Sequence, residues 1–188
     1  MNTSVIGESR DQTIIDLSSL PNLQGFNVPS FGVFLSSGLL TYSHFTLQNG
    51  PGCLSLNDTD FLIDNLKIKD NKGGGCVNGG GIGIRDSNGS ITNTIVDGNN
   101  ADEQGGGIYV RDSDVIIDRT IVSNNTCYNI CDFGDCDDSG LNNSSGIVAR
   151  GAANVQIYNS TIYNNPIVGT SFNYDDYTLH IANSIIVN

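Results

Sequence analysis

The chain has no tryptophan, one methionine and only eight basic residues among its 188. Twenty acidic residues set against those eight leave a formal net charge of −12. That balance excludes nucleic acid and anionic membrane surfaces as partners, because a phosphate-rich surface repels it. No run of 18 apolar residues occurs, which excludes a membrane-spanning helix. The opening stretch, Met1 to Gly7, lacks the charged and apolar regions of a signal peptide and reads as a chain that begins inside a structural repeat. What is abundant is asparagine (24) and glycine (23), alongside isoleucine and valine. That composition suits short strands joined by tight corners. The length fits one domain with its own core, residues 1–188.

A degenerate repeat runs through the chain. Its corner position falls at His44, Asn65, Asn93, Arg119, Asn159 and Asn183, with spacings of 21, 28, 26, 40 and 24 residues. Around each corner the pattern is constant. Two residues earlier stand Tyr42, Ile63, Ile91, Ile117, Ile157 and Ile181; three residues later stand Leu47, Ile68, Val96, Val122, Ile162 and Ile186. Constant strands with a variable period mean variable loops. A further strand follows a glycine in each repeat, as in Gly81-Ile82-Gly83-Ile84 and Gly107-Ile108-Tyr109-Val110.

Three short strands per repeat, with no helical stretch between, predict an all-β parallel β-helix: a solenoid of about six to seven three-stranded coils. At the inter-strand spacing of about 4.8 Å the rod would be roughly 30 Å long. The column Asn65, Asn93, Asn159 and Asn183 is expected to form a buried amide ladder at an inward-turning corner. Arg119 interrupts it, and is expected to turn outward or to pair with Asp118 or Asp97. Such a helix normally shields both ends, so the strand-like ends predict a fragment or module of a longer chain, whose partners are further coils or like subunits.

The coils resemble the right-handed parallel β-helix of the pectin-lyase-like superfamily. Gly79-Gly80-Gly81-Ile82 and Gly105-Gly106-Gly107-Ile108 resemble the Gly-Gly-Ala-Ile-type repeats of polymorphic outer-membrane and autotransporter-passenger proteins. The accompanying Phe-x-x-Asn motif has its counterparts in Ile68-x-x-Asn71, Val96-x-x-Asn99, Val122-x-x-Asn125 and Ile162-x-x-Asn165, with an aliphatic residue in place of Phe. The resemblance implies an extracellular or cell-surface location, with either carbohydrate chemistry or an adhesive role. It speaks for fold more than for activity.

In that superfamily, sites lie on the outer face of the strand after the glycine. The register places Arg85, Arg111, Arg150 and Asp175 in one outward column and Tyr109 in the column beside it. Guanidinium forks hold carboxylates or hydroxyls, and an aromatic ring stacks on a sugar face. The bland reading is an Arg/Asp ladder on a solvated face, with Asp86, Asp112 and Asp175 as counter-charges. Marks of catalysis are sparse. His44 and His180 are the only histidines, and both fall at or beside the corner. Asp86, Arg111 and Asp112 are the runner-up catalytic set for a polysaccharide lyase or glycoside hydrolase. The first reading is therefore a non-catalytic surface module: a spacer, adhesin or filament building block.

Five cysteines, Cys53, Cys76, Cys127, Cys131 and Cys136, favour an oxidising compartment. Cys53 and Cys76 flank one coil and are candidates for a bridge, and the connectivity stays open. The longest repeat carries an inserted Cys/Asp-rich loop, residues 126–144. Its Asp132, Asp135, Asp137 and Asp138 are hard-oxygen donors for Ca²⁺, set against a disulfide-stapled acidic loop. No cofactor is required. Of seven Asn-x-Ser/Thr sequons, Asn57, Asn88, Asn124, Asn142 and Asn143 are the accessible glycosylation candidates. Asn159, assigned to the ladder, is expected to be buried and unmodified.

Overall fold

A computed structural model describes residues 2–19, 38–73, 78–101, 104–127, 146–165 and 177–187. Among these there is no helix, and every strand pairing is parallel and joins successive coils. One sheet stacks Leu54–Asn57, Ile82–Arg85, Ile108–Arg111 and Ile147–Arg150. A second stacks seven strands: Thr3–Ile6, Leu39–Ser43, Asp60–Asp64, Asn88–Thr92, Asp114–Asp118, Asn154–Tyr158 and Thr178–Ala182. A third, also of seven, runs from Ile14–Asp16 through Thr46–Gln48, Lys67–Lys69, Ile95–Asp97, Ile121–Ser123 and Thr161–Tyr163 to Ile185–Val187. Two-residue strands at Lys72–Gly73, Asn100–Ala101 and Thr126–Cys127 make a small fourth sheet. The chain is thus a parallel β-helix.

Alternation fills the interior. In the second sheet Tyr42, Ile63, Ile91, Ile117 and Ile157 lie directly above one another and are buried. Leu47, Ile68, Val96, Val122 and Ile162 do the same in the third. Each such side chain contributes about 1.5–3 kcal/mol by leaving water. Phe61 is accommodated by Gly89 in the next coil, where an added Cβ would stand 2.1 Å from the Phe61 carbonyl oxygen and 2.8 Å from its ring. At the last coil the apolar columns open: Ile181 is 36% and Ile186 44% exposed.

Each coil turns at residues in the left-handed region. The corner after the first sheet uses Asp58, Asp86, Asp112 and Gly151; after the second, His44, Asn65, Asn93, Arg119, Asn159 and Asn183; after the third, Asn49, Asp70, Gly98, Asn124 and Asn164. A generic L-residue loses about 1–2 kcal/mol there, and Asn, Asp and Gly lose least. This is why all these positions but His44 and Arg119 carry one of the three.

The structure relocates the amide ladder. Asn93, Asn159 and Asn183 are exposed and Asn65 is half-buried, because a left-handed corner turns its side chain outward. The buried ladder is Asn71, Asn99, Asn125 and Asn165, six residues further on. Each Oδ1 accepts both the backbone N–H and the side-chain N–H of the coil before: from Asn71 to Asn99 (3.1 and 2.9 Å), Asn99 to Asn125 (3.0 and 3.0 Å) and Asn125 to Asn165 (2.8 and 3.0 Å). The remaining Nδ2 hydrogens of Asn99 and Asn125 go to the carbonyls of Ile68 and Val96, both at 3.0 Å.

The other two corners carry hydroxyl ladders of the same kind. Thr59 and Ser87 give their N–H to Ser87 and Ser113 Oγ, and Thr94, Thr120 and Ser160 give theirs to Thr120, Ser160 and Ser184. The corner asparagines work outside instead. Nδ2 of Asn49, Asn93, Asn124 and Asn159 donates to a carboxylate of the preceding coil: Asp16, Asp64, Asp97 and Asp118. Arg119 turns outward as expected, donating to Asn93 Oδ1 and pairing with Asp118.

Candidate functional site

All the buried polar residues described are Ser, Thr or Asn, and each ladder position among them is neutral. Ionisable chemistry therefore lies on the outside. The expected column exists: Asn57, Arg85, Arg111 and Arg150 occupy directly paired positions of the first sheet. Three arginines therefore follow one another at one strand spacing, about 4.8 Å. Each adjacent pair repels by roughly 1 kcal/mol in water, so the row needs counter-charge or ligand.

Asp112 supplies counter-charge. Arg111 Nε donates to its Oδ2 at 3.0 Å, and both side chains are partly exposed. Oδ1 accepts the backbone N–H of Ala152, at the corner of the next coil, at 3.0 Å. That N–H, then the bond and charge of Arg111 and the charge of Arg85, hold the Asp112 carboxyl below the usual carboxylate range, against a smaller opposing effect of burial. A carboxylate so held is a poor proton carrier near neutrality. Arg150 donates from Nη1 to Gln104 Oε1 at 3.2 Å. Arg85 and Asp86 are exposed.

Tyr109 departs from expectation. Its column, Ser55, Gly83, Tyr109 and Val148, does face outward from the first sheet, yet Tyr109 is only 2% exposed and Val148 fully buried. The glycine turns explain part of this cover. Gly105 folds back so that an added Cβ would lie 3.0 Å from Tyr109 Cβ, and one on Gly79 would lie 2.8 Å from Gly83 Cα. The two turns stack, Gly79 donating to Gln104 O and Gly80 to Gly105 O. Only glycine allows this: a Cβ on Gly80 would meet the Asn100 carbonyl carbon at 2.4 Å and Gly106 O at 2.5 Å. Tyr109 is therefore packing and offers no ring for a sugar to stack on. The triple glycine before the strand was the sequence signal for this cover.

The structure therefore brings together Arg85, Arg111, Arg150, Asp86 and Asp112, and removes Tyr109. Asp175, the calcium candidates Asp132, Asp135, Asp137 and Asp138, the cysteines Cys76, Cys131 and Cys136, the sequons Asn142 and Asn143, and most of loop 126–144 lie outside the described residues. Cys53 is buried against Gly83, where a Cβ would meet its Sγ at 3.3 Å. Among the described residues no group of His, Cys, Asp and Glu is arranged to hold a metal. Those residues hold no helix, and so none long and apolar enough to cross a membrane. Exposed sequon asparagines among the described residues are Asn2, Asn88, Asn124 and Asn159; Asn57 is half-buried, its Nδ2 bonded to Ser55 Oγ at 2.8 Å.

The fold and the charged row define a parallel β-helix with an Arg/Asp surface column. No family model, curated protein or solved structure matches the chain.

Proposed function

We propose that this chain is a non-catalytic β-helix module of an extracellular or cell-surface protein, related to the pectin-lyase-like superfamily and its outer-membrane repeat proteins. It serves as a spacer, adhesin or filament building block. The observation that carries this reading is the state of Asp112. The best-placed carboxylate of the charged row is engaged at both oxygens, by Arg111 and by the Ala152 N–H, and is held ionised. It works as a corner brace and lacks the raised or neutral-range pKa that acid–base catalysis requires. Its partners in this reading are further coils or like subunits. Cysteine bridges, Cys53 with Cys76 first, and sequon glycans belong to the same extracellular reading, and Ca²⁺ would take the Asp132–Asp138 region.

The row Arg85, Arg111 and Arg150 is where a glycan would bind, through its carboxylates or hydroxyls. The test combines a glycan array with lyase and hydrolase assays on acidic and neutral polysaccharides. Glycan binding that falls in an Arg85→Ala, Arg111→Ala double variant, with no turnover of any polymer, is the expected result. Turnover that disappears in Arg111→Ala and in Asp112→Ala, with folding intact, would overturn the reading in favour of a polysaccharide lyase or glycoside hydrolase fragment.

A further inference from the structure

We infer that Asn159 is an N-glycan acceptor whose first sugar covers a stripe of exposed isoleucines. The inference rests on the extracellular reading above. The segment Asn159-Ser160-Thr161 is a sequon, and the fold separates its three side chains in a way that suits modification. Ser160 points inward, its Oγ held in the hydroxyl ladder by Thr120 N and Tyr158 O. Asn159 occupies a left-handed corner at φ 48 and is exposed. Thr161 faces outward beside it, at the first position of its strand.

A second observation points to the same place. Thr161 pairs with Ile121 in the coil before and with Ile185 in the coil after. Ile121 is 38% and Ile185 60% exposed, and Tyr163, next outward on the same strand, is 41% exposed. Together they form an apolar stripe beside the corner. A sugar linked at Asn159 stands at the end of this strand and lays its C–H face over Thr161 between the two isoleucines.

The chemistry balances. Asn159 Nδ2 attacks the anomeric carbon of a lipid-diphosphate-linked oligosaccharide. A C–N bond forms, the C–O bond to the diphosphate breaks, the lipid diphosphate leaves, and the amide loses one proton. One N–H remains on Nδ2, which in the unmodified chain donates to Asp118 Oδ1 at 2.8 Å. The neighbouring corner sequon is less open: Asn124 donates to Asp97 and accepts from Asn164, both at 2.7 Å.

The experiment is secretion of the full chain from a eukaryotic cell line behind a heterologous leader. Glycosidase digestion in heavy-oxygen water and peptide mass spectrometry then read occupancy at each sequon. The expected result is a heavy-oxygen aspartate at position 159, lost in Thr161→Val, which keeps the residue's shape. The chain without this glycan should also bind more of an apolar dye than the glycosylated one. A secreted, folded chain unmodified at Asn159 overturns the site and leaves the surface reading standing. Recovery of the native protein only from the cytoplasm overturns the surface reading, and the site with it.

Discussion

Asn99 donates its side-chain N–H to Asn125 Oδ1, 3.0 Å away and one coil on, and the same oxygen takes the Asn99 backbone N–H at 3.0 Å. One acceptor thus satisfies two donors that have no access to water. Asn93, six residues earlier and exposed, makes its amide bond to Asp64 at the surface. The two asparagines should respond very differently to truncation. Asn99→Ala strands Asn71 N and Nδ2 and the Ile68 carbonyl, and should cost roughly 3 kcal/mol or more. Asn93→Ala loses two exposed bonds, to Asp64 and from Arg119, and left-handed tolerance, for about 1–2 kcal/mol. Urea midpoints with unchanged slopes check both; equal losses would contradict the buried ladder.

The glycine turn makes a second contrast. Gly80→Ala places a methyl 2.4 Å from backbone at Asn100, which cannot yield without breaking the stack, so a loss of about 3 kcal/mol is expected. Gly83→Ala meets only Asn78 O and Cys53 Sγ, each at 3.3 Å, and should cost under about 1 kcal/mol. Thermal melts of the two variants decide it. Tyr109 fluorescence should become more solvent-quenched in Gly80→Ala alone.

Acid should loosen the corners. Burial raises the Asp64 pKa, but the hydrogen bonds from Thr92 and Asn93, with the charges of His44 and Arg119, outweigh it and set the pKa below 3.8. The Gln48 side-chain amide and the Ser18 backbone N–H hold Asp16 well below that range too. Asp112 is lowered by the Ala152 N–H. A depressed native pKa contributes stability that is present above the unfolded value, about 3.9, and is lost as pH falls through the native value. Stability should be flat near neutrality and decline below about pH 4. Asp64→Asn should be slightly less stable at pH 7 with a shallower acid limb; an unchanged limb would count against the bonds from Thr92 and Asn93 to Asp64.

The first coil has its own strap. Arg10 donates from Nη1 to the Asn93 carbonyl at 2.9 Å, and its own carbonyl accepts from Thr46 Oγ1 at 2.6 Å. Arg10→Ala should speed amide exchange in Thr3–Ile6 and Ile14–Asp16 while leaving the central coils unchanged. Uniform acceleration across all coils would show that the strap is global.

Several columns are legible in the sequence alone. Ile63, Ile91, Ile117 and Ile157 recur two residues before the corner, and strand alternation alone sends them inward. The corner at His44, Asn65, Asn93, Arg119, Asn159 and Asn183 is also readable from the repeat, because Asn at that recurring position tolerates the left-handed turn. What misled was the role of their side chains. Asn71, Asn99, Asn125 and Asn165 were equally visible in the repeat, but nothing in a linear pattern says which of two asparagine columns faces the core. Asn159 shows the difference: the linear pattern puts it in a buried column, and the fold leaves it exposed.

The charged row was readable as a register and not as a site. That Arg85, Arg111 and Arg150 stack follows from constant strand phase. That Asp112 is tied to Ala152 N depends on a contact between coils 40 residues apart, and that Tyr109 lies under a folded-back turn depends on the Gly105 turn and on its stacking against the turn at Gly79. The sequence by itself determined the repeating unit, the parallel stacking and the residues that alternate inward, since these depend on period and residue type. Only the tertiary structure decided which asparagines hydrogen-bond in the core and which stand in water. That choice is made by the handedness of a single backbone corner and by the neighbours the coils bring against it.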